Sequence, residues 1–458
     1  MSSAAGSSRV TVVGAGLAGC EAAWQLASRG VEVALVEMKP LRRSPAHHVD
    51  DFAELVCSNS LRGASLGNAV GLLKEEMRRL GSLVVRAADA TAVPAGRALA
   101  VDRRAFSEFI TQAVNRHPRI EVRHEVVDRL PDAPLAVLAT GPLTAPELAD
   151  ALREYCGQEH LYFYDAIAPT VYADSIDFDV AFRASRWEDA AAGAGDYLNL
   201  PLDRDEYEAF VDALLAADTV ELHPFEAALY FEGCLPIEEM ARRGRRTLAF
   251  GPMKPVGLVD PRSGRRPHAV VQLRQEDKHG VLYNLVGFQT KLRIGAQREL
   301  LRSLPGMREA VFARYGSVHR NTYLDAPRSL APTLELVGRP GLFVVGQMAG
   351  VEGYVESAAL GFVGGIGAWR RASGAAPALP PAETAHGALL AHLRGGRSGD
   401  FQPTNVNYGL FPPLPPLEPG PDGRPAGKRR KREKNEQLAR RALAALATWA
   451  REIGAPSS

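Results

Sequence analysis

The apolar run at residues 9–13 (RVTVV) reads as a short buried strand. GAGLAG follows at Gly14–Gly19, then small and apolar residues at helical spacing over roughly 17–29. Gly30 caps that helix, and VEVALV at 31–36 reads as a second strand, so the chain opens on a βαβ unit. Residues 68–82 predict a helix, with Leu72, Leu73, Glu76 and Leu80 at helical spacing and Gly81 as its stop. A further helix is expected over 103–116, and a strand over 135–139 that enters a turn at Thr140-Gly141. GLFVV at 341–345 reads as a strand, and the Gly- and Ala-rich segment 353–370 as a helix. Nucleotide-fold elements therefore open and close the ordered chain. The pattern predicts an α/β protein: a Rossmann-like domain over 1–142 and 325–375, with an inserted α+β domain over 143–324. Residues 376–458 read as a C-terminal tail in which Lys428–Lys434 leads into a basic helix ending near Trp449. The segments 371–382 and 411–427 are Ala/Pro/Gly-rich connectors.

At 458 residues and 46% hydrophobic content, the chain is too long for one core and too apolar for disorder. Lys and Arg number 54 against 53 Asp and Glu, a net charge of +1, which taken as an average argues against a polyanion partner. The charge is nevertheless segregated. Residues 142–230 hold 4 basic and 19 acidic side chains, 231–320 hold 17 and 8, and 371–458 hold 13 and 7. An RNA partner facing the basic blocks thus stays open. Cys20, Cys57, Cys156 and Cys234 form no CxxC pair, which excludes a zinc ribbon and a disulfide framework and fits a reduced, cytoplasmic protein without a metal site. No apolar run is long enough for a membrane span, and no secretory signal is present.

Gly14, Ala15, Gly16, Leu17, Ala18 and Gly19 sit between a strand and a helix, where a dinucleotide pyrophosphate meets backbone N–H groups. Glu37 ends the second strand and is placed to accept bonds from ribose hydroxyls. The same fingerprint serves FAD and NAD. Ala139-Thr140-Gly141 and the strand-to-helix element Gly346-Gln347-Met348-Ala349-Gly350 favour FAD, although Gln347 stands where an acidic residue is usual. Cys57, in ELVCSNS, and Cys234, just before the helix start Pro236, are candidate reactive thiols. Burial as small apolar residues is the competing reading. Arg242, Arg245 and Arg246 are either a solvated face or a phosphate-binding cluster, and His319, Arg320 and Asn321 are candidates for holding a planar ligand.

With these segments the chain resembles the bacterial folate- and FAD-dependent tRNA (uracil-54-C5)-methyltransferase family. The resemblance runs from Val10 to about Leu410 through VVGAGLAGCEAAW, FAELVCSNSLR, FEGCLPIEEMARRG, FGPMKPVGLVDP, VVQLRQED, HRNTYLDAP, GQMAGVEGYVESAALGF and FQPTNVNYGL. It implies methylation of the T-loop uridine of tRNA with carbon from 5,10-methylenetetrahydrofolate, with FAD re-reduced by NADH or NADPH. It also implies that Cys57 and Cys234 are the two thiols in or near catalysis. The chemistry is consistent: uracil C5 is a poor nucleophile, and thiolate addition at C6 makes an enolate that attacks through C5. Carbon at the formaldehyde level then needs a hydride equivalent, which a reduced flavin provides. Cys234 is expected to attack C6 and Cys57 to assist beside the flavin, with the reverse assignment open. The rival readings are a related FAD protein that modifies the wobble uridine with a GTPase partner, and a tRNA-folding flavoprotein without turnover.

Overall fold

The computed structural model describes residues 9–157, 161–186, 195–220, 235–395, 401–415 and 431–455. Five parallel strands form the first sheet, in the order 342–344, 136–138, 10–13, 33–37, 120–124. Its register pairs Val10 with Val33, Thr11 with Ala136, and Leu342 with Ala136. The three central strands are almost wholly buried, and their apolar sequence follows from helices covering both faces. The chain leaves the central strand toward one side and later returns to the other. The carboxyl end of Val10–Val13 is therefore a switch point, where such sheets open a ligand crevice.

Two helices of small residues cross behind this crevice. Leu17–Ala27 packs on Tyr354–Ala372 so closely that a Cβ on Gly361 would lie 2.2 Å from the Ala18 carbonyl oxygen. Larger residues at this crossing would separate the helices, which explains the Gly/Ala composition of both. The helix expected over 68–82 spans Ala69–Arg79 and stops near Gly81 (φ +80°). A second helix, Leu83–Ala90, begins at once. Its N-cap is Ser82, whose hydroxyl accepts from the Val85 N–H, a start signal absent from the sequence reading.

Between Leu161 and Tyr323 the chain forms a separate antiparallel sheet with its own apolar cluster around Val171, Leu198, Leu200, Tyr207 and Leu273. Helix Arg204–Ala216 packs there, started by a capping box in which Asp203 and Glu206 each accept the other's N–H at 2.8 Å. A two-stranded ribbon, Leu161–Ile167 with Ser317–Tyr323, carries the chain out of the first unit and back, with Asp165 opposite His319.

The region expected as a C-terminal tail is packed on the first core. Helix Ala385–Arg394 and the apolar face of Lys431–Glu452 (Leu438, Ala442, Leu446, Trp449) belong to that cluster, and Trp449 Nε1 donates to the Ala378 carbonyl. Among the described residues, no helix is long and apolar enough to cross a membrane.

Candidate functional site

Two cavities meet at Leu143. The first, about 640 Å³, lies at the switch point between Gly14, Gly16, Glu37 and Thr140. Each glycine of the fingerprint has its own reason. Gly14 has φ +97°, and a Cβ on it would sit 2.7 Å from the Ala139 carbonyl oxygen. A Cβ on Gly19 would fall 1.8 Å from the Gly14 carbonyl oxygen, whereas one on Gly16 would meet nothing within 4 Å. Gly14 and Gly19 are thus required by the protein itself, and Gly16 leaves open space beside the helix start. Leu17 and Ala18 are buried in the first helical turn, and they reach the crevice through backbone N–H groups that precede the first helical bond, from Cys20 to Gly16. The Glu37 carboxylate accepts from the N–H groups of Ala15 (2.7 Å) and Lys39 (3.0 Å), which ties the glycine loop to the second strand. Each oxygen has a further lone pair for a ligand hydroxyl. Thr140 shares a 2.6 Å hydroxyl bond with Thr144, and Thr144 donates to the carbonyl of Gly141.

The second cavity, about 1200 Å³, is built by segments far apart in sequence. Cys57 lines it, with Sγ 2.9 Å from the Tyr354 hydroxyl. That hydroxyl oxygen accepts from the N–H groups of Cys57 (2.8 Å) and Ser58 (3.3 Å). With its lone pairs taken, its proton points to the sulfur. Burial pushes the Cys57 thiol up to about 12, Asp165 adds to this, and the Tyr354 bond and Arg103 oppose it. Burial likewise holds Tyr354 well above the ordinary phenol range. The resting pair is a neutral thiol beside a neutral phenol.

Three arginines fix the cysteine segment from behind. Arg103 donates to the Leu55 carbonyl and Arg314 to that of Val56 (3.0 Å). Arg274 donates to Asn59 Oδ1 and Ser58 Oγ, both at 2.8 Å. Asn59 in turn donates to the carbonyls of Val101 and Gln275, both at 2.9 Å. Glu276 pairs with Arg103 at 2.5 Å and lies 3.8 Å from Arg314. Burial works against its ionisation, yet these arginines hold its carboxyl below the usual range. Asn59 thus bridges the Val101 strand and the second sheet, and Ser58 Oγ accepts from Arg274 and from the Ser60 N–H (3.1 Å).

Of the Gly346–Gly350 element only Gln347 lines the second cavity; Gly346 (φ +74°) abuts Ala18, and the Gly350 backbone (φ +95°) leaves room only for the Phe401 ring. Gln347 points to Glu352, donating to its carboxyl, and Asn405 donates to the Glu352 carbonyl. Burial first, then Asp165 and Glu356, hold the Glu352 carboxyl well above the usual range. Arg62, in the left-handed region at φ +61°, pairs with buried Glu356. Lys74 donates to the carbonyls on either side of it, Leu61 (2.7 Å) and Gly63 (2.9 Å).

His319 and Asn321 line the second cavity, and Asn321 donates to Asp165 at 3.4 Å. Arg320 shares their strand, and its side chain lies outside the described residues, as does Cys234. Arg242 pairs with Glu239, Arg245 with Glu208 and Asp212, and Arg246 stacks over Phe250. None of the three lines either cavity. The acidic helix Arg204–Ala216 carries both carboxylates that bind Arg245, so the acidic and basic blocks partly neutralise each other inside one unit. The arginines at the cysteine are instead Arg62, Arg103, Arg274 and Arg314. The sequence reading assigned no role to them, or to Asp165, Glu352, Tyr354 and Asn405, although several lie in the segments that carry the resemblance. Among the described residues, no group of three or more His, Cys, Asp or Glu is arranged to hold a metal.

Fold and site together define a dinucleotide-binding α/β protein with an inserted antiparallel sheet that completes a cysteine-containing cavity. The family described as "Glucose inhibited division protein A" matches residues 9–376. The Geobacter sulfurreducens protein named methylenetetrahydrofolate--tRNA-(uracil-5-)-methyltransferase TrmFO is 60% identical over 88% of this chain and 93% of its own length. The protein of that name from Desulforudis audaxviator is 58% identical over 88% and 92%. Aquifex aeolicus GidA, a solved structure, aligns with a TM-score of 0.68 over 98% of this chain and 74% of its own, at 19% identity, a likeness of fold. The chain belongs to the glucose inhibited division protein A family, and within it to the branch of the methylenetetrahydrofolate--tRNA-(uracil-5-)-methyltransferases.

Proposed function

We propose that this protein is a folate- and FAD-dependent tRNA methyltransferase that converts the T-loop uridine at position 54 to 5-methyluridine. The carbon comes from 5,10-methylenetetrahydrofolate, and NADH or NADPH supplies the electrons. One observation carries the reading: a dinucleotide cradle opens at Leu143 into a cavity where a cysteine meets a tyrosine hydroxyl. Relatives 56–60% identical bear the name of this activity, which favours it over a wobble-uridine protein acting with a GTPase.

The cradle fits FAD through open space at Gly16, the unspent N–H groups of the first helical turn, and the Glu37 lone pairs. Gly14 to Gly19 would hold the pyrophosphate and Glu37 the adenosine ribose. Thr140, Gly141, Gly346, Gln347 and Gly350 would flank the remainder. FAD supplies the reducing equivalent that turns a transferred methylene into a methyl group. The chain itself activates the uracil. We assign the attack on C6 to Cys234 and proton handling to Cys57, whose thiol is protonated at neutral pH. Arg274 and Asn321 are donors in the same cavity for the developing enolate oxygen, and Glu352 lines it beside them. The flavin-binding unit would comprise 1–142 and 325–375, with 143–324 bringing the RNA side and the whole acting in the cytoplasm.

The test is incubation of the flavin-loaded protein with reduced nicotinamide, labelled methylenetetrahydrofolate and unmodified tRNA. Label in 5-methyluridine is expected. Transfer from S-adenosylmethionine instead, with no label from the folate, would overturn the reading.

A further inference from the structure

The strand Ser60–Gly63 supplies Ser60, Leu61 and Arg62 to the second cavity, and the chain then turns outward through the exposed residues 64–66. Two distant segments clasp this rim. On one side the Ala64 N–H donates to the carbonyl of Arg97, an exposed residue at the start of the neighbouring strand. On the other, Asn435 in the first turns of the C-terminal helix donates to the Gly67 carbonyl at 2.9 Å. Lys431 lies one helical turn before Asn435 on the same face, and Lys434 is its immediate neighbour. Both are exposed.

Exposed Arg97, Lys431 and Lys434 thus stand on the two segments that hold residues 64–67, just beyond Arg62 of the cavity that holds Cys57. Nearby carboxylates are engaged or turned along the helix. Arg432 pairs with Glu436 at 2.9 Å, Glu433 meets Gln437 at 3.5 Å, and Asp196 accepts from the Gly96 N–H at 2.6 Å. The lysines do not serve their own helix, because cations in a first turn oppose the helix dipole. The Arg242 cluster, the more obvious basic patch in the sequence, spends its charge on Glu239, Glu208 and Asp212.

We propose that Arg97, Lys431 and Lys434 form a phosphate-binding rim that grips the backbone of the substrate RNA while its uridine enters the cavity. This rests on the tRNA-modifying reading above. The C-terminal helix is then part of the RNA surface, and its buried face fixes where the lysines stand.

The test compares the flavin-loaded full chain with an Arg97→Glu/Lys431→Glu/Lys434→Glu variant and with a milder variant carrying Gln at the same positions. Binding of an unmodified tRNA transcript is followed by fluorescence anisotropy between roughly 50 and 200 mM salt. For the Glu variant, Kd should rise at least about tenfold at the low end, and the salt slope should fall by roughly 0.7–0.9 for each phosphate that is no longer neutralised. The Gln variant should fall between. Flavin absorbance and nicotinamide oxidation should match the wild type in both, since none of the three residues lines either of the two cavities described above. A Glu variant with wild-type Kd and slope would overturn the rim. A wild-type protein that neither binds nor methylates tRNA would bring down the underlying reading, and the rim with it.

Discussion

Cys57 and Tyr354 decide which protonation states the second cavity can offer. The folded-state value of the thiol lies above its ordinary 9, so the stability linked to its protonation is complete below about 9 and fades as pH climbs toward 12. A thiolate formed during turnover would be held chiefly by the Tyr354 O–H, because that oxygen already accepts from Cys57 and Ser58. Tyr354→Phe should therefore push the thiol further up and lower the thiolate fraction at a given pH, and with it the rate of Cys57 alkylation, by about 10–100-fold, the equivalent of one hydrogen bond to an ionised sulfur. Flavin content should persist. Alkylation kinetics of Cys57 on flavin-loaded protein check this, and an unchanged rate would mean that the tyrosine only packs.

The glycine loop makes a separate prediction for each of its members. Gly19→Ala forces a methyl group against the Gly14 carbonyl, so it should lower stability by roughly 1–3 kcal/mol or more in urea unfolding and empty the cradle of flavin. Gly16 has an ordinary extended backbone (φ −75°) and open space before it. Gly16→Ala should leave the urea midpoint within about 0.5 kcal/mol of wild type while weakening flavin binding, read from the flavin-to-protein absorbance ratio. Equal loss of stability in the two variants would contradict the division of roles. At this scale the sequence was informative. The apolar runs at 9–13, 33–37 and 342–344 and the small-residue helices are local signals of period and composition, and they appear within a few residues of expectation. The second sheet was less legible, because its strands pair segments as distant in sequence as Phe312 and Val171 and alternate only weakly.

Across the whole molecule, buried charge joins the two cores. Glu276, from the inserted sheet, lies between Arg103 of the first unit and Arg314 of the second, and Arg274 reaches across to Asn59. Glu276→Gln leaves two buried guanidinium groups without their carboxylate, and should cost about 3–5 kcal/mol in urea unfolding. Combined with Arg103→Met the loss should be clearly less than additive, and strict additivity would show that the two do not act together. Because Glu276 is held below the usual carboxylate range, its contribution is present above about 4.5 and is lost as pH falls below that value.

The sequence by itself determined the βαβ entry, the glycine cradle with Glu37 and the paired small-residue helices, because each depends on neighbours within a few residues or on a compact motif. Tertiary structure decided the rest. It bound Arg245 to an acidic helix, brought Arg103, Arg274 and Arg314 to the cysteine, and set Tyr354 under its sulfur. It also folded the expected tail back to place Asn405 in the cavity and Lys431 at its rim. Charge on a chain carries no direction. Which arginine meets a ligand and which meets a carboxylate is settled only when burial makes every charge find a partner.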